Sequence, residues 1–193
     1  MSKALKPERA IKTGTVHTIN SFMKLKHETV KIPYTDRKAG RDTILHAPDV
    51  AGIVITKQNN TPEIILEKQW RQSVNSFTLE TPAGKIDPRD HGNPHHAIMR
   101  ELNEELRVDP KHLKLLTPKP LYGSPGCTNE ATYFYYASDL TPVNKKLPRD
   151  LGEYMKLISY SMSQAFRLMQ SGKIRDMKTN LALLYWFRTS QQA

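Results

Sequence analysis

Glutamates at positions 101, 104 and 105, spaced i, i+3 and i+4, constrain this chain more than any other feature. On a helix the three share one side, within about a quarter turn of one another. Like charges this close repel, so the arrangement is costly unless a cation neutralises it. A set made only of carboxylates suits hard divalent ions such as Mg²⁺ or Mn²⁺ rather than zinc. Just upstream, Pro82-Ala83-Gly84 forms a turn that can bring backbone close to whatever such ions hold. Together the two segments point to a metal-dependent hydrolytic site on a helix.

The surrounding pattern supports that helix. In "NPHHAIMRELNEELRV", Asn93 is a cap and Pro94 takes the first helical position, while Ile98, Leu102 and Leu106 form an apolar stripe beside the glutamates. Asp109-Pro110 is expected to end it, because proline disfavours helix at the preceding residue. Upstream, "HETVKIPY" (27–34) and "RDTILHA" (41–47) alternate as half-buried strands do, with Lys38-Ala39-Gly40 as the turn between them. "VAGIVIT" and "EIILEKQW" flank a "KQNNTP" turn and read as central strands of one sheet. Three later strands, in "LKLLTPKPLY", "ATYFYYASDL" and "YMKLISYS", precede two helices. The first is capped by Ser161 or Ser163 and stopped by Gly172; "DMKTNLALLYWFRTS" forms the second. The resulting fold class is α/β, with a sheet between helical layers.

Residues 1–20 are polar and are expected to be loosely held, leaving 21–193 as a single domain. The net charge is +10, and residues 1–45 alone contribute +6 from ten Lys/Arg and four Asp/Glu. That excess can draw an anionic ligand. No arginine-rich run or interleaved aromatic stripe supports dedicated nucleic-acid binding. The lone cysteine, Cys127, excludes an intrachain disulfide and a cysteine-based zinc cluster. No secretory signal is visible, and the longest apolar run, "LALLYWF", is too short to span a bilayer. A cytoplasmic protein without membrane attachment is expected. His91, His95 and His96 read as exposed residues of the loop and first helical turn, not ligands.

"PAGKID" followed by "RELNEEL" resembles the Nudix box, Gly-x5-Glu-x7-Arg-Glu-apolar-x-Glu-Glu-x-Gly-apolar. Gly84, Arg100, Glu101, Leu102, Glu104, Glu105 and Val108 fill seven of its positions. Two departures stand out. The stretch from Gly84 to Arg100 is two residues too long, so the first acid falls on Asp90 counted forward or on Gly92 counted back; and Arg107 replaces the late glycine. "SPGCTNE" (124–130), "EKQWRQSV" and "SGKIRDMKTNLALL" are similar to segments of the ADP-ribose pyrophosphatase branch. The likeness runs over about residues 28–188.

The resemblance implies a Nudix-type α/β/α sandwich with a mixed sheet, and Mg²⁺-dependent hydrolysis of ADP-ribose or a related nucleoside-diphosphate sugar to AMP and ribose 5-phosphate, with Mn²⁺ able to substitute. It implies that Glu101, Glu105 and the carbonyl of Ala83 bind metal. Glu104 serves a second ion or its water, and Arg100 locks the carboxylates. Glu153 is the expected general base, with Glu130 its rival. Arg71 reaches a phosphate or the terminal ribose, and Glu80, Gly126 and Glu130 face the substrate. Phe22, Tyr34 and Trp70 are candidates for stacking on adenine. A homodimer is implied, with strands 27–47 crossing to the partner. The competing readings are a non-catalytic nucleotide sensor, suggested by the imperfect box, and an enzyme of RNA 5′ ends, suggested by the charge.

Overall fold

The computed structural model describes residues 6–19, 23–149 and 154–191. They fall in two compact units, one within Met1–Ala47 and Tyr122–Ala131, the other within Pro48–Leu121 and Thr132–Ala193.

The first unit is an antiparallel meander of β1 (Arg9–Thr18), β2 (Met23–Lys31) and β3 (Lys38–His46). Two expectations change here. Much of the stretch expected to be loosely held is strand: β1 pairs with β2 from Arg9 to Thr18, across two register irregularities. The β2–β3 reversal lies earlier than Lys38-Ala39-Gly40. It is made by residues 33–36, with Tyr34 in the left-handed region (φ 62°) and Ile32 N donating to Arg37 O at 3.0 Å. Gly40 sits inside β3 opposite Thr29, where a Cβ would come within 3.1 Å of the His27 ring. The Ser124–Glu130 segment is stitched to β3. Ile44 N donates to Cys127 O (2.8 Å), and the Asn129 amide exchanges hydrogen bonds with His46 N (2.7 Å) and His46 O (3.2 Å).

The second unit is built on a mixed sheet. Its strands are β4 (Asp49–Gln58), β5 (Thr61–Arg71), β6 (Ser76–Glu80), β7 (Ala83–Lys85), β8 (Val108–Leu115), β10 (Ala131–Pro142) and β11 (Met155–Ser161); Leu121–Tyr122 is a short β9. The order is β11-β5-β4-β10-β8, with β6 on β5 and β7 on β4. Only β4 and β10 run parallel among these pairs, and β4 is apolar along most of its length because both its faces are covered. Asn59 and Asn60 both take positive φ in the β4–β5 hairpin, the mirror-image geometry that matches strand twist.

Helix α1 (Pro94–Glu101) covers one face: Ile98 and Leu102 pack with Val50, Val54 and Tyr135. Helices α2 (Met162–Gln170) and α3 (Met177–Ser190) cover the other, where Ala165, Leu183 and Trp186 meet Ile53, Ile64 and Leu66. This is the expected α/β/α sandwich. Ser161, not Ser163, caps α2, with Gln164 completing a capping box.

Candidate active site

Asn93 caps α1 as its sequence implies, its side chain accepting from His95 N at 2.9 Å. The helix does not continue as α beyond Glu101. Leu102–Leu106 form a π-helical turn, a wider coil often found at functional sites, so the α-helical spacing of the glutamates does not hold. The end also differs. Arg107 adopts the left-handed conformation (φ 64°) that glycine would favour, and Asp109-Pro110 lie within β8. The helix is thus closed by Arg107 and not by the proline.

Glu101, Glu104 and Glu105 are 7%, 2% and 3% exposed. Two of them, Glu101 and Glu104, are paired with arginine. Arg100 NH1 donates to Glu101 Oε1 (2.7 Å) and Glu104 Oε2 (3.0 Å). The rest of its guanidinium grips Asp90 (Nε to Oδ1, 3.0 Å; NH2 to Oδ2, 2.9 Å) and the carbonyl of Lys85 (2.9 Å). Burial disfavours the Arg100 charge. Asp90 and Glu101 outweigh that and hold it protonated above its ordinary range. Burial likewise pushes the Asp90 carboxyl up, but the Arg100 bonds prevail and hold it below the usual carboxylate value.

Asp90 therefore stands where the box places its first acid, and Gly92 does not. The extra residues are absorbed just after it, where His91 (φ 52°) and Gly92 (φ 72°) reverse the chain into Asn93. His91, His95 and His96 are exposed.

The expected Pro-Ala-Gly turn is instead the entry to β7, where Ala83 and Gly84 pair with Ala51 and Val50, and this short strand faces the motif helix closely. A Cβ on Gly84 would lie 1.8 Å from Glu101 Oε1, so only glycine leaves room for that carboxylate. The segment is tied from behind. Gly52 N donates to Pro82 O (2.8 Å), and Thr81 N donates to Thr179 Oγ1 (2.7 Å). Thr179 in turn donates to Asp176, the cap of α3, at 2.6 Å. This tie links "LETPAGKID" to "DMKTNLALL", and no local pattern in either segment announces it.

On the neighbouring strands, Arg71 and Glu80 form a bidentate pair, with Nε to Oε1 at 2.8 Å and NH2 to Oε2 at 2.6 Å. Thr78 also donates to Glu80, at 2.6 Å. Burial pushes the Glu80 carboxyl up, but Arg71 and Thr78 hold it below its ordinary value. The Arg71 charge is favoured first by Glu80 and also by Asp176 and Glu105, which puts it in the electrostatic reach of the motif helix. Trp70 and Tyr34 are both exposed rather than core residues.

Behind the helix, residues 143–149 are strapped to its end. Asn103 bonds Lys145 O and Leu147 N, both at 2.9 Å, and Arg107 donates to Leu147 O. Arg149 donates to the carbonyls of Glu104 (3.1 Å) and Glu105 (2.8 Å), complementing the negative helix end. Sequence reasoning missed Arg149, Asp90's pairing and Arg89, since each depends on side-chain reach across the fold. Gly126 and Glu130 belong to the first unit, where Gly126 is open on its Cβ side and Glu130 is half-buried. Glu153, Asp150 and Phe22 lie outside the described residues.

The buried glutamates and the backbone carbonyl of Ala83 in β7 are oxygen donors of the kind that suits a hard divalent cation. Among the described residues no three acidic, histidine or cysteine side chains form a ready metal cluster. Arg100 lies between Glu101 and Glu104 instead.

The Nudix domain matches residues 46–176, and the chain belongs to the Nudix hydrolase family. It is 28% identical over 158 residues to the ADP-ribose pyrophosphatase of Bacillus subtilis (strain 168), covering 82% of this chain and 81% of that one. It is also 28% identical over 178 residues to a methanol dehydrogenase activator of Bacillus methanolicus, covering 92% and 91%. The crystal structure of an ADP compounds hydrolase shares the fold over the full length of both chains, with a TM-score of 0.82 at 17% identity. Among the described residues no helix is long and apolar enough to cross a membrane.

Proposed function

We propose that this chain hydrolyses the diphosphate bond of ADP-ribose or a closely related nucleoside-diphosphate sugar, releasing AMP and ribose 5-phosphate. The observation that carries the reading is the set of three buried glutamates on the motif helix, the first of them packed against Gly84 of β7, which has no room for a side chain. Glu101, Glu105 and the Ala83 carbonyl would hold Mg²⁺, with Glu104 serving a second ion or its water; Mn²⁺ substitutes. Bound divalent ions neutralise the diphosphate and make water a stronger nucleophile.

The chain's own groups do the rest. Arg100, clamped by Asp90, keeps the carboxylates fixed and turned toward β7. Arg71 takes a phosphate or the terminal ribose, and Glu80 acts by aiming that guanidinium. Gly126 and Glu130 contribute to the substrate side of the site, and Glu153 accepts the proton of the attacking water, as the family resemblance implies. The likeness to an ADP-ribose pyrophosphatase supports this substrate class. A cytoplasmic homodimer sharing its N-terminal strands completes the reading.

A panel of ADP-ribose, GDP-mannose, dinucleoside polyphosphates, nucleoside triphosphates and capped RNA, each with Mg²⁺ and with chelator, tests it. Mg²⁺-dependent AMP release with the highest kcat/KM on ADP-ribose is the expected result. A higher value for a triphosphate or capped RNA overturns the substrate class, and binding without turnover makes the protein a sensor.

A further inference from the structure

Glu104 is contacted by two guanidinium groups, one on each oxygen: Arg100 NH1 on Oε2 at 3.0 Å and Arg89 NH1 on Oε1 at 3.2 Å. The two arginines are held very differently. Arg100 is 10% exposed and fixed by Asp90 and Lys85 as well. Arg89 is 53% exposed, and among the described residues its only other side-chain partner is Asp87, reached by Nε at 2.7 Å and Nη2 at 2.5 Å. Asp87 also accepts from the Arg89 backbone N at 2.6 Å, so the arginine is moored at both ends of its residue. Asp87, with a smaller contribution from Glu104, holds the Arg89 charge above its ordinary range against burial and the nearby Arg100 charge.

Arg89 can therefore leave Glu104 by a small swing, at the loss of one long hydrogen bond, and stay anchored on Asp87. Arg100 cannot leave without giving up Asp90. A divalent cation approaching the glutamate face must take Glu104 from a guanidinium, and Arg89 is the one that can yield.

Resting on the metal-site reading above, we propose that Arg89 is a resident counter-cation of the glutamate face: it neutralises Glu104 until a divalent ion displaces it toward Asp87, and so sets the ion concentration at which the site fills. Arg89 is a positioning residue that acts through Glu104, and it makes the acidic helix stable before the ion arrives.

Titration of substrate-free protein with Mn²⁺, followed by the electron paramagnetic resonance signal of free Mn²⁺, tests this. Wild type, Arg89→Ala, Arg89→Gln and Arg89→Lys are compared, with thermal midpoints measured in chelator. Removal of the charge in Arg89→Ala and Arg89→Gln should tighten Mn²⁺ binding roughly two- to fivefold, the scale of a partly exposed ion pair. Arg89→Lys should fall between these and wild type. A merely structural role would weaken binding, not tighten it. In a Glu104→Gln background the Arg89→Ala effect should vanish, since the two act as a pair. Equal or weaker binding in both neutral variants overturns the inference while leaving the metal site standing. A wild-type protein that binds no Mn²⁺ overturns the metal reading and the inference with it.

Discussion

The Glu101 carboxylate lies against the backbone of Gly84 so closely that a methyl group there would stand 2.0 Å from its Cδ. Glycine is required here for space, not for a left-handed backbone. Gly84→Ala must therefore push Glu101, the strand, or both. Displacing a positioned group by about 1 Å costs on the order of 10²-fold in rate. The expected outcome is a kcat/KM loss of that order with circular dichroism unchanged. Activity within a few-fold of wild type would show that Glu101 need not stay where it is.

Glu105→Gln should abolish hydrolysis and leave the fold intact. The change is isosteric, so packing survives while a charged oxygen ligand is lost. The loss should be at least the ~10²–10³ seen for one preorganised electrostatic contact. Steady-state kinetics with Mg²⁺ checks it, and near-normal turnover removes Glu105 from the metal set.

Much of this site was legible because its signals are local. Asn93, Pro94 and the stripe of Ile98, Leu102 and Leu106 define the motif helix, and all three stripe residues are buried. The Asn59-Asn60 hairpin declares itself by residue type. β1 did not. Its few large apolar residues include Ile11 and Val16, both exposed, so backbone pairing holds it with no alternating buried face to betray it. The β2–β3 turn was misplaced because Tyr34, not a glycine, adopts positive φ. The π-turn, the Arg107 closure and the pairing of Arg89 with Glu104 depend on tertiary contacts that no window of sequence contains.

Stability should fall in acid, and Asp90 should account for part of it. Asp87, Asp90 and Glu80 are all held below their ordinary values in the folded chain. Each therefore stabilises above its unfolded pKa, about 4, and that contribution disappears as pH drops through the lower folded value. Asp90→Asn should cost about 2–3 kcal/mol at pH 7. The gap between the two proteins should begin to close as pH falls through about 4, where the unfolded chain takes up its proton, and close fully only below the lowered folded value of Asp90. Denaturant midpoints from pH 7 to 3 measure the difference, and a constant gap across that range would refute the assignment.

Thr179→Val removes the acceptor for Thr81 N in a fully buried location. An orphaned buried amide costs about 1–3 kcal/mol. Because the tie also holds the segment bearing Ala83, kcat should fall more than ADP-ribose KM rises. Thr179→Ser, which keeps the hydroxyl, should restore most of both.

Glu153→Gln should lower kcat by ~10²–10⁴ with KM and metal affinity nearly unchanged, as expected of a group acting only in the transition state. Glu130→Gln should show a smaller kcat defect. The reverse ranking moves the base to the Ser124–Glu130 loop.

The Thr81–Thr179 contact joins residues 98 positions apart. The motif helix is a local element and can form early, but the Thr81 tie of the segment opposite it is made only when the C-terminal helix docks. Full activity is therefore expected to wait for that docking. In refolding from denaturant, the helical signal should return before hydrolysis does. Any lesion that slows docking of that helix will then yield a protein that looks folded by spectroscopy and is slow to become an enzyme.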